Sequence, residues 1–182
     1  MTDIFYGILI VITILSSGFF LMEVAGGREM VFEEIVSIDP ANVSMTGPEG
    51  NHRVILWISL FIIVPVGAFM GPQMWIRNYA SSSSENFNIL PWILCLSSII
   101  CIGTLFSGSA ALVLADNVEN PDSVLIELMR EYASPFFYIF VIVGIYATIF
   151  STANSQVHAL SAVYTIDVHK RYINPKMPER KL

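Results

Sequence analysis

Charge is scarce in this 182-residue chain: 13% of residues are charged and 54% are hydrophobic. A soluble globular domain carries roughly 25% charge. Basic residues are the scarcer sign, nine Lys and Arg against fifteen Asp and Glu, for a net charge of −6. No basic stripe is available to meet phosphates, which argues against a nucleic-acid partner. Cysteine is nearly absent. Cys95 and Cys101 sit in one apolar run, off adjacent helix turns and without His neighbours, and they read as small apolar packing residues. There is no Gly-rich phosphate loop, no metal-spaced Cys/His set and no nucleophile elbow, so the chain does not read as an enzyme. His52, His158 and His169 are scattered, and His158, the one inside an apolar run, reads as a satisfied helix-facing residue. No Lys or Arg precedes the first apolar run; Thr2 and Asp3 do. A signal peptide would carry a basic n-region there, so the run reads as a true membrane helix.

What the chain has is long apolar blocks, and mean hydropathy is strongly positive. Blocks near 4–22, 54–72, 89–114 and 135–166 are long enough to cross a core of about 30 Å. The expected fold is an all-α membrane protein of four transmembrane helices, one transmembrane domain over 1–182, in contact with the lipid bilayer. The second block carries Pro65 and Gly67, then Gly71-Pro72. Proline removes a backbone donor and clashes with the preceding turn, so this block is either a simple kink or a broken helix of the kind that lines transport sites. Gln73, Trp75 and Arg77 follow as an interfacial exit. The third block begins at Pro91-Trp92 and turns small at Gly103, Ser107, Gly108 and Ser109, which suits close helix contact. The fourth is longer than one crossing needs, so it tilts or projects.

Two acidic connections separate the blocks. In Glu23 to Arg53, Gly26 and Gly27 break the helix. Met30, Val31, Ile35 and Ile38 then recur at helical spacing, predicting a short amphipathic helix outside the bundle. Asp39-Pro40 and Gly47-Pro48 are stops. The connection reads as solvated and acidic, without chemistry of its own. In 116–134, Leu125, Leu128, Met129 and Tyr132 predict a second surface helix, begun at Pro121-Asp122-Ser123. Five of the nine basic residues lie in the C-terminal tail: Lys170, Arg171, Lys176, Arg180 and Lys181. The positive-inside rule then puts both termini in the cytoplasm.

The fourth block concentrates hydroxyls. Thr148, Ser151 and Thr152 stand at i, i+3 and i+4 and share a helix face, with Gly144 and Ser155 extending the zone. A hard cation wants oxygen ligands, and neutral ones suit a site that must release its ion. Ser and Thr in such helices also bond back to the i−4 carbonyl, and spacing alone favours that plainer role.

The run Ala147-Thr-Ile-Phe-Ser-Thr-Ala-Asn-Ser-Gln-Val-His-Ala-Leu-Ser-Ala-Val-Tyr-Thr-Ile-Asp-Val-His-Lys-Arg171 resembles the sodium:solute symporter family. There an Ala-rich helix meets a Ser-Thr or Ser-Ser pair, then Ser-Gln, a second Ser and Thr-x-Asp-x-x-Lys-Arg. Gly71-Pro-Gln-Met-Trp-Ile-Arg77 with Ala80-Ser81 is similar to the family's Pro-x-x-x-x-Arg segment, and Asn120-Pro-Asp-Ser-Val124 to its outer loop. The wording of Asn154 to Thr165 is similar to the monocarboxylate permease branch.

The resemblance implies a leucine-transporter-like fold of two inverted five-helix repeats. This chain would hold the last helix of the first repeat and the first three of the second. It implies Na⁺ coupling, with Ser151 and Thr152 as hydroxyl ligands and Thr148 as a carbonyl ligand. It also implies that Gly67, Phe69, Met70 and Gly71 line the path of a small organic solute. The family's other helices have no counterpart in this sequence. The expectation is therefore a fragment of a multi-pass symporter of bacterial plasma-membrane type, unable to transport alone, whose partners are the missing transporter helices. The competing expectation is a non-transporting four-helix membrane protein that acts by helix–helix partner binding.

Overall fold

The structure is a computed structural model that describes residues 2–47, 54–79, 83, 85–115, 120–173 and 175. Expectations that fall on Pro48, His52, Arg53, Ala80, Ser81, Asp116, Lys176, Arg180 and Lys181 lie outside them. The elements are α1 (Thr2–Val24), α2 (Arg28–Ile38), α3 (Val54–Met70), α4 (Pro72–Tyr79), α5 (Asn86–Ser97), α6 (Ile100–Leu114), α7 (Val124–Tyr132) and α8 (Pro135–Val163). A 3₁₀ turn spans Pro40–Val43, and α8 runs on in wider π-type turns over Tyr164–Ile173. Among the described residues there is no strand.

Among the described residues three helical stretches are long and apolar enough to cross a membrane: Ile4–Val24, Asn88–Leu114 and Pro135–Ile173. Val54–Met70 is apolar but shorter, 17 residues, or about 26 Å of helix. Its helix continues through Pro65 and ends at Gly71. Gly71 precedes Pro72, and the residue before a proline is pushed out of the helical region. Pro72 then opens α4, where a missing N–H costs nothing. The chain therefore breaks at Gly71-Pro72 and passes unbroken through the internal proline.

The third block is interrupted at Ser98–Ile99. There the backbone tightens to i→i+3 bonds, Ile99 N–H to the Leu96 carbonyl at 3.2 Å and Cys101 N–H to that of Ser98 at 3.0 Å. The Ser98 hydroxyl donates to the Leu94 carbonyl at 3.1 Å, a local bond that competes with the helical ladder. Cys95 and Cys101 flank this turn as free, exposed thiols, so the packing role expected of them is not realised within this chain.

α1 is the centre of the packing, with α6 on one side and α8 on the other. The α1–α6 crossing is made by glycine on glycine. A Cβ on Gly103 would stand 2.5 Å from the Ile14 carbonyl oxygen, and one on Gly18 would collide with the Gly103 backbone. Small residues allow this approach, and in lipid such close fit drives helix association.

At one end of the bundle, Leu21, Met22, Val31, Ile35, Leu128, Met129 and Val141 join Ala110 and Ala111 in the buried core. Phe19 meets Phe106 and Phe20 meets Phe137 edge-on, each with ring centroids 5.2 Å apart. Both amphipathic helices read from the sequence close this end, α2 through Val31 and Ile35 and α7 through Leu128 and Met129. Met30 and Ile38 of the same pattern are exposed. Met129 is fully buried, so Met129→Ala should cost about 2–5 kcal/mol, read as a lower unfolding midpoint in detergent.

The turn from α1 into α2 is a Schellman motif. Gly27 N–H reaches the Met22 carbonyl at 2.9 Å and Gly26 N–H that of Glu23 at 3.1 Å. Gly26 holds φ 98°, where a Cβ costs about 1–2 kcal/mol. Gly26→Ala should lose that amount in the same unfolding measurement. Among the described residues α3 packs chiefly on α4, with Trp57 donating its indole N–H to the Met45 carbonyl at 2.8 Å, and α5 lies against no helix to a comparable extent. Nearly all of α3 is exposed, and a helix apolar all round needs lipid or other helices about it.

Candidate functional site

α8 starts cleanly. The Ser134 hydroxyl accepts from Phe137 N–H at 3.4 Å, and Pro135 fills the first turn. Its buried positions are Val141, Gly144 and Ala147, then Ala159. The first three lie where α1 packs, and α4 packs on the far end of the helix. Between Ala147 and Ala159 no residue is buried. Ser151 and Ser155 are half-buried, while Thr148, Thr152, Asn154 and His158 are exposed.

The hydroxyl face read from the sequence therefore falls in the uncovered part of α8. Thr148 donates its hydroxyl to the Gly144 carbonyl at 3.0 Å, the plain back-bonding expected of such residues. Its carbonyl still belongs to the face shared with Ser151 and Thr152. The geometry offers neutral oxygens on one helix only, and a cation of modest size needs further oxygens from a second element.

The residues expected to line a solute path lie elsewhere. Gly67, Phe69 and Met70 are exposed on α3, and Gly71 is half-buried at the break. Met70 borders a cleft of about 530 Å³ with Pro72, Trp75 and Tyr79 on one side and Ala162 and Ile166 on the other. Ala162 is eleven residues beyond Ser151, about 16 Å along a helix. The hydroxyl set and the α3 set are not brought together within the described residues.

The sequence reading passed over α1. Thr13 and Ser17 are buried, and Thr13 sits over Gly144, whose missing Cβ leaves the room. Small residues at Thr13, Ser17 and Gly18 on one helix were a visible signal for this contact.

Long apolar helices, joined through small-residue crossings and capped by amphipathic helices, define an all-helical, multi-pass integral membrane protein. The chain belongs to the sodium:solute symporter family, whose profile it matches over residues 1–182. It is also similar to a protein of Bacillus subtilis (strain 168) described as the uncharacterized symporter YhjB, 23% identical over 133 residues. That alignment covers 71% of this chain and 27% of the relative, so the chain spans about a quarter of that protein's length. No solved structure matches the chain.

Proposed function

We propose that this chain supplies one section of a Na⁺-coupled symporter for a small organic solute, a monocarboxylate by the wording of its fourth block. The Thr148 carbonyl and the Ser151 and Thr152 hydroxyls hold the ion. The observation that carries this reading is the gap in burial along α8. The helix is covered before Ala147 and at Ala159, and left open where its hydroxyls cluster. A further helix laid along the gap would complete an oxygen cage. The exposed faces of α3, including Gly67, Phe69 and Met70, would meet the solute and the remaining transporter helices.

Neutral ligands suit the task. A carboxylate would bind the ion more tightly, whereas hydroxyls and a carbonyl let it leave at the end of each cycle. Alternating access moves one repeat against another around a central site. Transport therefore requires helices beyond those of this chain, and both its termini face the cytoplasm.

The test is solute uptake into proteoliposomes. A complete transporter containing this segment should accumulate a monocarboxylate when an inward sodium gradient is imposed, and potassium should not replace sodium. This chain reconstituted by itself should accumulate none. Accumulation by this chain alone, or uptake by the complete transporter without regard to sodium, would overturn the reading.

A further inference from the structure

The Thr13 hydroxyl is the one buried side-chain polar atom that finds no hydrogen-bond partner among the described residues. Thr13 is 3% exposed, and an unsatisfied buried hydroxyl costs free energy. Beside it lies a cleft of about 280 Å³ formed by α1, α6 and α8, with Leu125 of α7 at its edge. A water needs only about 10–15 Å³ of such space, with two to four polar partners.

The partners are there, and their chemistry is one-sided. Ser17, Thr104 and Thr148 line the same cleft as Thr13. Ser17 donates its proton to the Ile14 carbonyl at 3.2 Å, Thr104 to that of Cys101 at 2.9 Å and Thr148 to that of Gly144 at 3.0 Å. Each hydroxyl has one proton and two lone pairs. Three of the four therefore face the cleft as acceptors, and the guest must be a hydrogen-bond donor. Among the described residues no acid or base lines the cleft, and the rest of its wall is aliphatic apart from Gly144. Stripping an ion of its hydration to enter such a wall is costly, whereas a neutral donor loses little.

We propose that this cleft is a hydration site. Ordered water donates to the Thr148 hydroxyl and exchanges hydrogen bonds with Thr13, tying α1 to α8 one turn before Ser151. The site stands apart from the proposed sodium ligands: it uses the Thr148 side chain, and the ion uses that residue's carbonyl.

The sign of one substitution decides the matter. In a complete transporter carrying this segment, purified in nanodiscs, Thr13→Val swaps the hydroxyl for a methyl of similar shape. With water bridging the pair, the unfolding midpoint falls and Thr13→Ser restores most of the loss. With no guest, valine relieves an unsatisfied group and the midpoint rises; a rise or no change overturns the proposal. The valine shift should be equal in sodium and in choline buffer. A shift that vanishes in choline would make the guest a cation and also overturn it. Should the valine variant not fold, the unsubstituted protein's density map decides: ordered density between Thr13 and Thr148 supports the bridge, and an empty cleft removes it. None of these outcomes depends on whether Ser151 and Thr152 bind sodium.

Discussion

Replacing Ser151 and Thr152 together by alanine in a complete transporter should abolish sodium-stimulated uptake at ordinary sodium concentrations. Each alanine removes one oxygen from a charged guest, an interaction of about 1.5–3 kcal/mol. Each 1.4 kcal/mol is a tenfold change in affinity, so the pair should raise the half-saturating sodium concentration about 100-fold or more. Neither residue is fully buried: Ser151 is half-covered and Thr152 is exposed. In a complete transporter a further helix would cover both, and alanine, smaller than either residue, still suits close helix contact, so the loss should appear in the sodium dependence while expression is kept. Thr148→Val should leave the sodium dependence much closer to normal, because the ligand proposed there is a main-chain carbonyl. An unchanged half-saturating concentration in the double variant would remove the ion assignment.

Gly103→Ala should destabilise this chain strongly, while Gly108→Ala on the same helix should not. A methyl on Gly103 would press on the Ile14 main chain, with the carbonyl carbon 2.8 Å away, and no rotamer change relieves a backbone contact. The two helices must part, at a cost of about 1–3 kcal/mol or more. At Gly108 the space around a Cβ is open, and alanine gains about 0.5–1 kcal/mol of helix preference over glycine. The two substitutions are chemically identical and should move the unfolding midpoint in detergent in opposite directions. Equal shifts would mean that glycine at 103 serves no close approach.

Much of the fold was legible, and the reasons are local. Both surface helices were readable because Val31 with Ile35 and Leu128 with Met129 repeat at helical spacing inside otherwise charged segments. The stop at Gly26-Gly27 was readable because only glycine suits that backbone. The second block was harder. Pro65 and Gly71-Pro72 both looked like breaks, and the chain uses only the second, since a proline within a helix removes one bond while Gly-Pro disfavours helix before it and starts one after it. The turn at Ser98–Ile99 has no glycine or proline to announce it. The hydroxyl face of α8 was visible from spacing. Its lying in an uncovered gap, two turns beyond the point where Thr13 of α1 rests on Gly144, was not.

The sequence by itself determined that this is an all-helical membrane chain and which of its apolar blocks carries the hydroxyls. In a bilayer every backbone polar group must be satisfied within its own segment, so helix formation follows from the residues of that segment alone. Only the tertiary structure decided that Gly18 meets Gly103, that Thr13 rests on Gly144, and that α8 is bare between Ala147 and Ala159. Lipid is as apolar as leucine, so the inward face of a membrane helix carries no hydrophobic label; it is selected by the fit of one surface against another.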